Sequence, residues 1–209
     1  MKTLQTIGSL LCNVVLIALV ASSIVCFLSR GGEGNMAGVG PVCFRYFTID
    51  SNVFCALCCL PLLFFGGKGL LTGDYQIPQW ALLLKFVGTA AVTVTMVTVL
   101  VFLGPLQGFG PMFAGKNLYL HLICPLLALL SLCLMEGGAP ITLPESLWGL
   151  LPTLVYGVVY AILVLKTKQW PDFYGFNRGG MWYVSFPAMT VGAFGLSVGI
   201  MAIHNGILF

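Results

Sequence analysis

The sequence predicts an all-α fold, a polytopic membrane protein built as a six-transmembrane-helix bundle, and three observations predict it. Of 209 residues, 59% are hydrophobic and 7% charged, with a mean hydropathy of +1.02, whereas a soluble domain carries about 25% charged residues. Six mostly apolar stretches match the ~20 residues that a helix needs to cross the hydrocarbon core. The connections between them are short, so residues 1–209 read as a single transmembrane domain with no separate soluble unit.

The first stretch, 4–28, follows the single cation Lys2. Ala18 and Ala21 lie inside the apolar run and make no convincing cleavage site, so it reads as a retained helix and not a signal peptide. A Gly-rich connection follows over 30–40; its GGEG run lacks the Lys-Ser/Thr of a phosphate loop and reads as linker. The second helix is expected over 43–65, stopped by Gly66-Gly67, and the third over 79–103, between Pro78 and Gly104-Pro105. The fourth, 117–135, lies between Gly115 and Gly137-Gly138; the fifth, 146–165, leads out to Lys166 and Lys168; the sixth covers 181–203.

Six spans put both termini on one face and the starts of helices 2, 4 and 6 on the other. The connections on that second face hold Arg30, Arg45, Lys116, Lys166, Lys168 and Arg178, against Lys2 and Lys68 on the first. The positive-inside rule therefore puts the termini outside, across the inner membrane if the host is bacterial. A net charge of +3, scattered along the chain, does not fit a nucleic-acid partner. All eight cysteines sit in or beside apolar segments, where Cys behaves as a small hydrophobe, and they imply no disulfide framework.

The stretch 44–52, FRYFTIDSN, stands out because it sets polar side chains at the mouth of an apolar segment, where they are costly and usually functional. The even helices open alike: Tyr46-Phe47-Thr48, Tyr119-Leu120-His121 and Tyr183-Val184-Ser185. At ~1.5 Å of rise per residue, Thr48, His121 and Ser185 should lie at one depth, roughly 7 Å below the interface. Asn52 follows Thr48 by four residues and Asn117 precedes His121 by four, so each pair shares a helix face. Pro125 has no N–H, so the carbonyl of residue 121 should lose its helical donor and the helix should kink there. The bland reading of the three tyrosines is an aromatic belt.

A hydroxyl beside an imidazole is the minimal equipment of nucleophilic acyl transfer. Thr48 is the candidate nucleophile and His121 its general base. Asn52, Asn117, Ser185 and Tyr46 are candidates for orienting groups, substrate contacts or oxyanion donors. FRYFTIDSN, together with KNLYLHLICPLLALL at the fourth helix, resembles the androgen-induced / androgen-dependent TFPI-regulating protein family, closest to its bacterial six-transmembrane relatives. Animal members are threonine hydrolases of fatty acid esters of hydroxy fatty acids. The resemblance implies that activity here, with Thr48 and His121 in the catalytic positions and a lipid ester reaching them from the bilayer. A Gln is commoner in the bacterial branch where this chain has Asp50.

Other signals have structural readings. Asp50 is about 200° around the helix from Thr48 and is expected to pair with Arg45. Lys85, with Thr89 and Thr93 on one stripe, is expected to snorkel. His204 lies on the face opposite His121, too distant for a haem pair. Cys55-x-x-Cys58-Cys59 lacks a second ligand pair, so no metal and no cofactor is expected. Gly195-x-x-x-Gly199 suggests close helix contact, within the bundle or in a homo-oligomer. No HExxH, second intramembrane Asp or Gly-x-Ser-x-Gly elbow indicates another intramembrane hydrolase class. The alternative function is a non-catalytic binder or transporter of a small lipid or metabolite that uses the same polar pocket.

Overall fold

The computed structural model describes residues 2–29 and 39–208. The GGEG run and Arg30 lie outside the described residues. Among the described residues all regular structure is helical. Six helices are long and apolar enough to cross a membrane: α1 (Lys2–Leu28), α2 (Phe47–Thr72), α3 (Gln79–Gln107), α4 (Lys116–Leu134), α5 (Leu143–Lys166) and α6 (Trp182–Leu208). The chain is a multi-pass, all-α membrane protein.

Helix α3 is the central one, with 61% of its apolar window buried against 17% for α6. It packs on α2, α4, α5 and α6, while α1 closes the bundle against α2 and α4. Leu16, Ile49, Cys55, Cys59, Leu120 and Cys124 meet in one core cluster, and Leu82, Phe86, Leu132 and Ile200 in a second. The cysteines are all free, and six of them are buried as packing groups. Gly88 lets α3 approach α2 so closely that a methyl group there would stand 3.0 Å from the Cys55 Cα. Gly195 and Gly199 have no such neighbour; added methyl groups would meet nothing within 4 Å, so the bundle itself does not use them.

Several boundaries differ from the sequence expectation. Helix α2 begins at Phe47, after a 3-10 turn over Gly40–Arg45, and runs straight through Gly66-Gly67 to end at Gly73, whose φ is 76°. Glycine is tolerated inside a membrane helix when a neighbour packs on it, and Gly66 receives Leu10 of α1. Helix α3 continues past Gly104-Pro105 because a π turn over Val99–Leu103 comes first, with Gly104 N–H bonded to Val99 O. That widened turn takes up the register change that the missing proline N–H forces. Helix α5 starts early on a capping box, in which Thr142 N–H donates to Glu145 Oε2 at 2.7 Å and Glu145 N–H to the Thr142 hydroxyl.

Lys85 does not snorkel. It is fully buried, and its Nζ donates to Asn13 Oδ1 at 2.5 Å and to Cys59 Sγ at 3.2 Å. Asn13 Nδ2 in turn donates to Glu136 Oε1 at 2.7 Å, which also accepts from Ser9 at 2.8 Å. Four fully or nearly fully buried polar groups from α1, α3 and the segment just after α4 thus form one chain of hydrogen bonds, with a thiol of α2 at its edge. His204 of α6 pins the same half of the bundle by donating from Nδ1 to Leu132 O at 2.9 Å. Breaking a buried polar pair by removing one partner costs about 3–5 kcal/mol, whereas replacing both by apolar groups is far milder. Glu136→Leu should therefore lower the thermal unfolding midpoint in detergent sharply, and Lys85→Met added to it should recover much of the loss. A double variant no better than the single one would show that the chain is not the coupled unit described.

Candidate functional site

The site begins with a hydrogen that is absent. Pro125 offers no N–H to α4, and residues Tyr119–Ile123 form a π turn in which Cys124 N–H bonds back five residues to Tyr119 O. The next carbonyl in that register, Leu120 O, would need the N–H of residue 125. It accepts instead from Asn52 Nδ2 of α2 at 3.1 Å. The carbonyl released to a side-chain partner is thus that of Leu120, one residue before the expected position at 121. The second Asn52 Nδ2 hydrogen goes to Thr48 O at 2.7 Å. Since both partners are carbonyls, only the NH2 end of the amide can face them. Asn52 is fully buried and clamps α2 to α4 at the level of Thr48 and His121.

The clamp brings the two candidate residues together. Thr48 Oγ1 lies 3.3 Å from His121 Nε2. His121 Nδ1 lies 2.6 Å from Met112 O, and because a carbonyl can only accept, Nδ1 carries the proton. In the neutral ring Nε2 then holds the lone pair and accepts from the Thr48 hydroxyl, the tautomer a general base requires. His121 is 7% exposed. Thr48 also borders a cavity of about 460 Å³ between α3, α5, α6 and the segment joining α5 to α6. The hydroxyl therefore has the imidazole as one partner and a largely apolar chamber beside it.

A third group comes from the 5–6 connection. Asp172 organises that segment, accepting from Tyr160 Oη at 2.9 Å, Phe176 N–H at 2.8 Å and Asn177 N–H at 2.7 Å. Tyr174 N–H donates to the Tyr160 hydroxyl at 3.2 Å. So held, the Tyr174 hydroxyl accepts from Phe47 N–H at 2.9 Å, at the first turn of α2, where a helix has no internal acceptors for its N–H groups. Tyr174 borders the same cavity as Thr48. Burial pushes its phenol above the ordinary range, with the Phe47 N–H pulling the other way. It therefore keeps its proton at neutral pH, and that proton is free of the backbone contact.

The remaining candidates take other places. Both donor hydrogens of Asn52 are used on carbonyls, which leaves it none for an oxyanion. Asn117 does not reach His121; its Nδ2 donates to Pro111 O at 3.3 Å, next to the Met112 carbonyl that orients the ring. Ser185 borders the cavity with Thr48, while its hydroxyl donates to Met181 O. Tyr46 packs against Phe173 with the rings tilted by 50° and contributes its backbone as the cap of α2. The expected pair of Arg45 and Asp50 is not formed: the ion pair among the described residues is Lys68–Asp74 at 3.0 Å. Arg45 contributes its carbonyl to the Tyr156 hydroxyl at 2.6 Å, and Asp50 faces away from Thr48 as the helix count requires. No His/Cys/Asp/Glu cluster suited to a metal occurs among the described residues.

Sequence reasoning missed Met112 and Tyr174. Met112 acts through its carbonyl, which no side-chain pattern can signal. Tyr174 follows the turn signal Pro171-Asp172, but nothing in the sequence ties that turn to α2. No family model, curated protein or solved structure matches this chain.

The clamp makes a stability prediction independent of chemistry. Asn52→Ala leaves the buried Leu120 carbonyl without a donor, at about 1–3 kcal/mol for an unsatisfied buried group, whereas Thr48 O keeps the Ser51 hydroxyl. Chemical denaturation in detergent should register that loss, and an unchanged midpoint would show the clamp to be dispensable.

Proposed function

We propose that the protein is an intramembrane hydrolase of lipid esters, of the fatty acid ester of hydroxy fatty acid type, with Thr48 as nucleophile and His121 as general base and acid. The observation that carries the reading is the oriented pair: a hydroxyl 3.3 Å from an imidazole nitrogen whose lone pair is fixed by a carbonyl on the opposite side of the ring. The apolar cavity beside Thr48 supports a lipid substrate.

Thr48 Oγ1 attacks the ester carbonyl carbon while its proton passes to His121 Nε2. The carbonyl oxygen gains negative charge, and the Tyr174 O–H is the donor that meets it. Collapse of the tetrahedral intermediate breaks the bond to the leaving oxygen, which takes the proton from Nε2 and departs as the alcohol. Water then attacks the acyl-Thr48 ester with its proton going to Nε2, and the collapse returns that proton to Thr48 and releases the fatty acid.

A serine/threonine-directed fluorophosphonate probe should label the purified protein in detergent and fail on Thr48→Ala and on His121→Ala. Labelling that survives both changes overturns the assignment. His121 works only while Nε2 is unprotonated, so the labelling rate should fall as pH drops through the imidazole titration and level off above it. A rate that rises on acidification contradicts the base role. Tyr174→Phe should lower kcat for a lipid ester by about 10²–10³-fold, the usual cost of one oxyanion donor, with KM little changed.

The rival reading is a binder or transporter that uses the cavity without chemistry. In that case Thr48→Ala would retain lipid binding in full and no turnover would be detected in the native protein. Transporters commonly unwind helices at the binding site, whereas the π turns of α3, α4 and α5 widen those helices without unwinding them. That continuity favours the hydrolase.

A further inference from the structure

A second recess lies on the other side of α2 from Thr48. It is an open-sided groove of about 450 Å³ between α2, α3 and α5, and among the described residues its one charged group is the Asp50 carboxylate. The rings of Phe47 and Tyr156, 5.1 Å apart, border both recesses and separate them. Phe44 and Trp170 complete an aromatic wall at the level of the helix mouth. No hydrogen bond or ion pair from the described residues reaches the Asp50 carboxylate. The hydroxyls on the wall are engaged elsewhere: Tyr156 donates to Arg45 O, and the Ser51 hydroxyl bonds with Thr48 O and Thr95 Oγ1. A carboxylate one turn inside a membrane helix without a cation beside it is costly, and such residues mark ligand or ion sites by default.

The shape of the groove says what would relieve that cost. Asp50 and Trp170 sit near the mouth of α2, whereas Phe54 lies four residues further along, about 6 Å deeper at the rise of an α-helix, and Leu151 deeper along α5. The groove thus carries one negative charge and aromatic rings at headgroup level, and only apolar side chains below. Aromatic faces and a carboxylate together are what ammonium groups bind. Among the described residues no Lys or Arg borders the groove, so the phosphate of a zwitterionic lipid would find no partner there. We propose that this groove binds a single-chain amphiphile bearing a net positive ammonium headgroup, with the ammonium at Asp50 and the chain running down towards Leu151. The site is separate from Thr48 and does not rest on the hydrolase reading.

The test uses the full chain in an uncharged maltoside detergent with 12-bromododecyltrimethylammonium as the probe, because bromine quenches a tryptophan it touches. Saturable quenching is expected, lost in Trp170→Phe and kept at full affinity in Thr48→Ala. Asp50→Asn should weaken binding at least tenfold, Asp50→Glu should restore most of it, and Val155→Phe, which fills the lower groove, should weaken it with Asp50 intact. The uncharged 12-bromododecanol should bind at least tenfold less tightly. Equal binding by Asp50→Asn, or by the alcohol, would overturn the proposal by showing an apolar slot without charge selection. Equal competition by dodecylphosphocholine would overturn the net positive charge.

Discussion

The mouth of α2 depends on the N–H that Pro125 lacks. In an aqueous protein the orphaned carbonyl would find water; in a membrane bundle it must find a donor from the protein. The π turn over Tyr119–Ile123 moves the vacancy to Leu120, and Asn52 fills it from the neighbouring helix. A defect in one helix is thereby converted into a fixed distance between two. Thr48 is one turn before Asn52, and its own carbonyl holds the other hydrogen of that amide. His121 is the residue after the orphaned carbonyl. The register of both side chains follows from where the proline stands.

The bundle has a second polar system, and the comparison separates anchoring from chemistry. Ser9, Asn13, Lys85 and Glu136 are at least as buried as His121, and intramembrane charges are a functional signal by default. Yet no cavity described here borders them, and their hydrogen bonds run among themselves across α1, α3 and α4. Such a cluster fixes which helices are neighbours and in what register. At Thr48 the polar groups are fewer, but one of them borders a chamber. Access, more than polarity, distinguishes the candidate site.

Much of this was legible in the sequence, for identifiable reasons. Six spans follow from hydropathy because only helices satisfy a backbone in lipid locally. Thr48 and His121 could be matched because helix starts on the same face share a depth, although Thr48 proves to lie in the first turn of α2 and not deeper in it. The helix face shared by Thr48 and Asn52 was readable; the partner carbonyl of Asn52 was not, because the π turn shifted it by one residue. Gly66-Gly67 looked like a stop because the neighbour that fills the space, Leu10, is 56 positions away. Lys85 looked like a snorkelling cation for the same reason: Asn13 and Glu136 lie far from it in sequence. Local rules and helix counting recover local structure and matched depths; what they miss here are the partners that a π turn shifts or that packing brings from a distant helix.

The candidate site is also uncharged at rest, and the membrane explains why. In aqueous enzymes with a hydroxyl and a histidine, a carboxylate commonly orients the ring and stabilises the imidazolium. Here the orienting acceptor is Met112 O, a backbone carbonyl. A carboxylate behind His121 would be a buried charge with no resident partner, whose desolvation is worth several kcal/mol even after relaxation. A carbonyl sets the same tautomer without that charge. The same preference appears in Tyr174, the neutral donor of the proposed mechanism where a cation could have stood, and in Asn52, a neutral clamp. The charged side chains of the stretch, Arg45 and Asp50, belong to neither group. A neutral set gives up some stabilisation of the imidazolium, and it gains a resting site that an apolar chain can enter without first displacing bound ions or their hydration. For the lipid ester proposed as substrate, which would arrive from the bilayer, that exchange favours the neutral set.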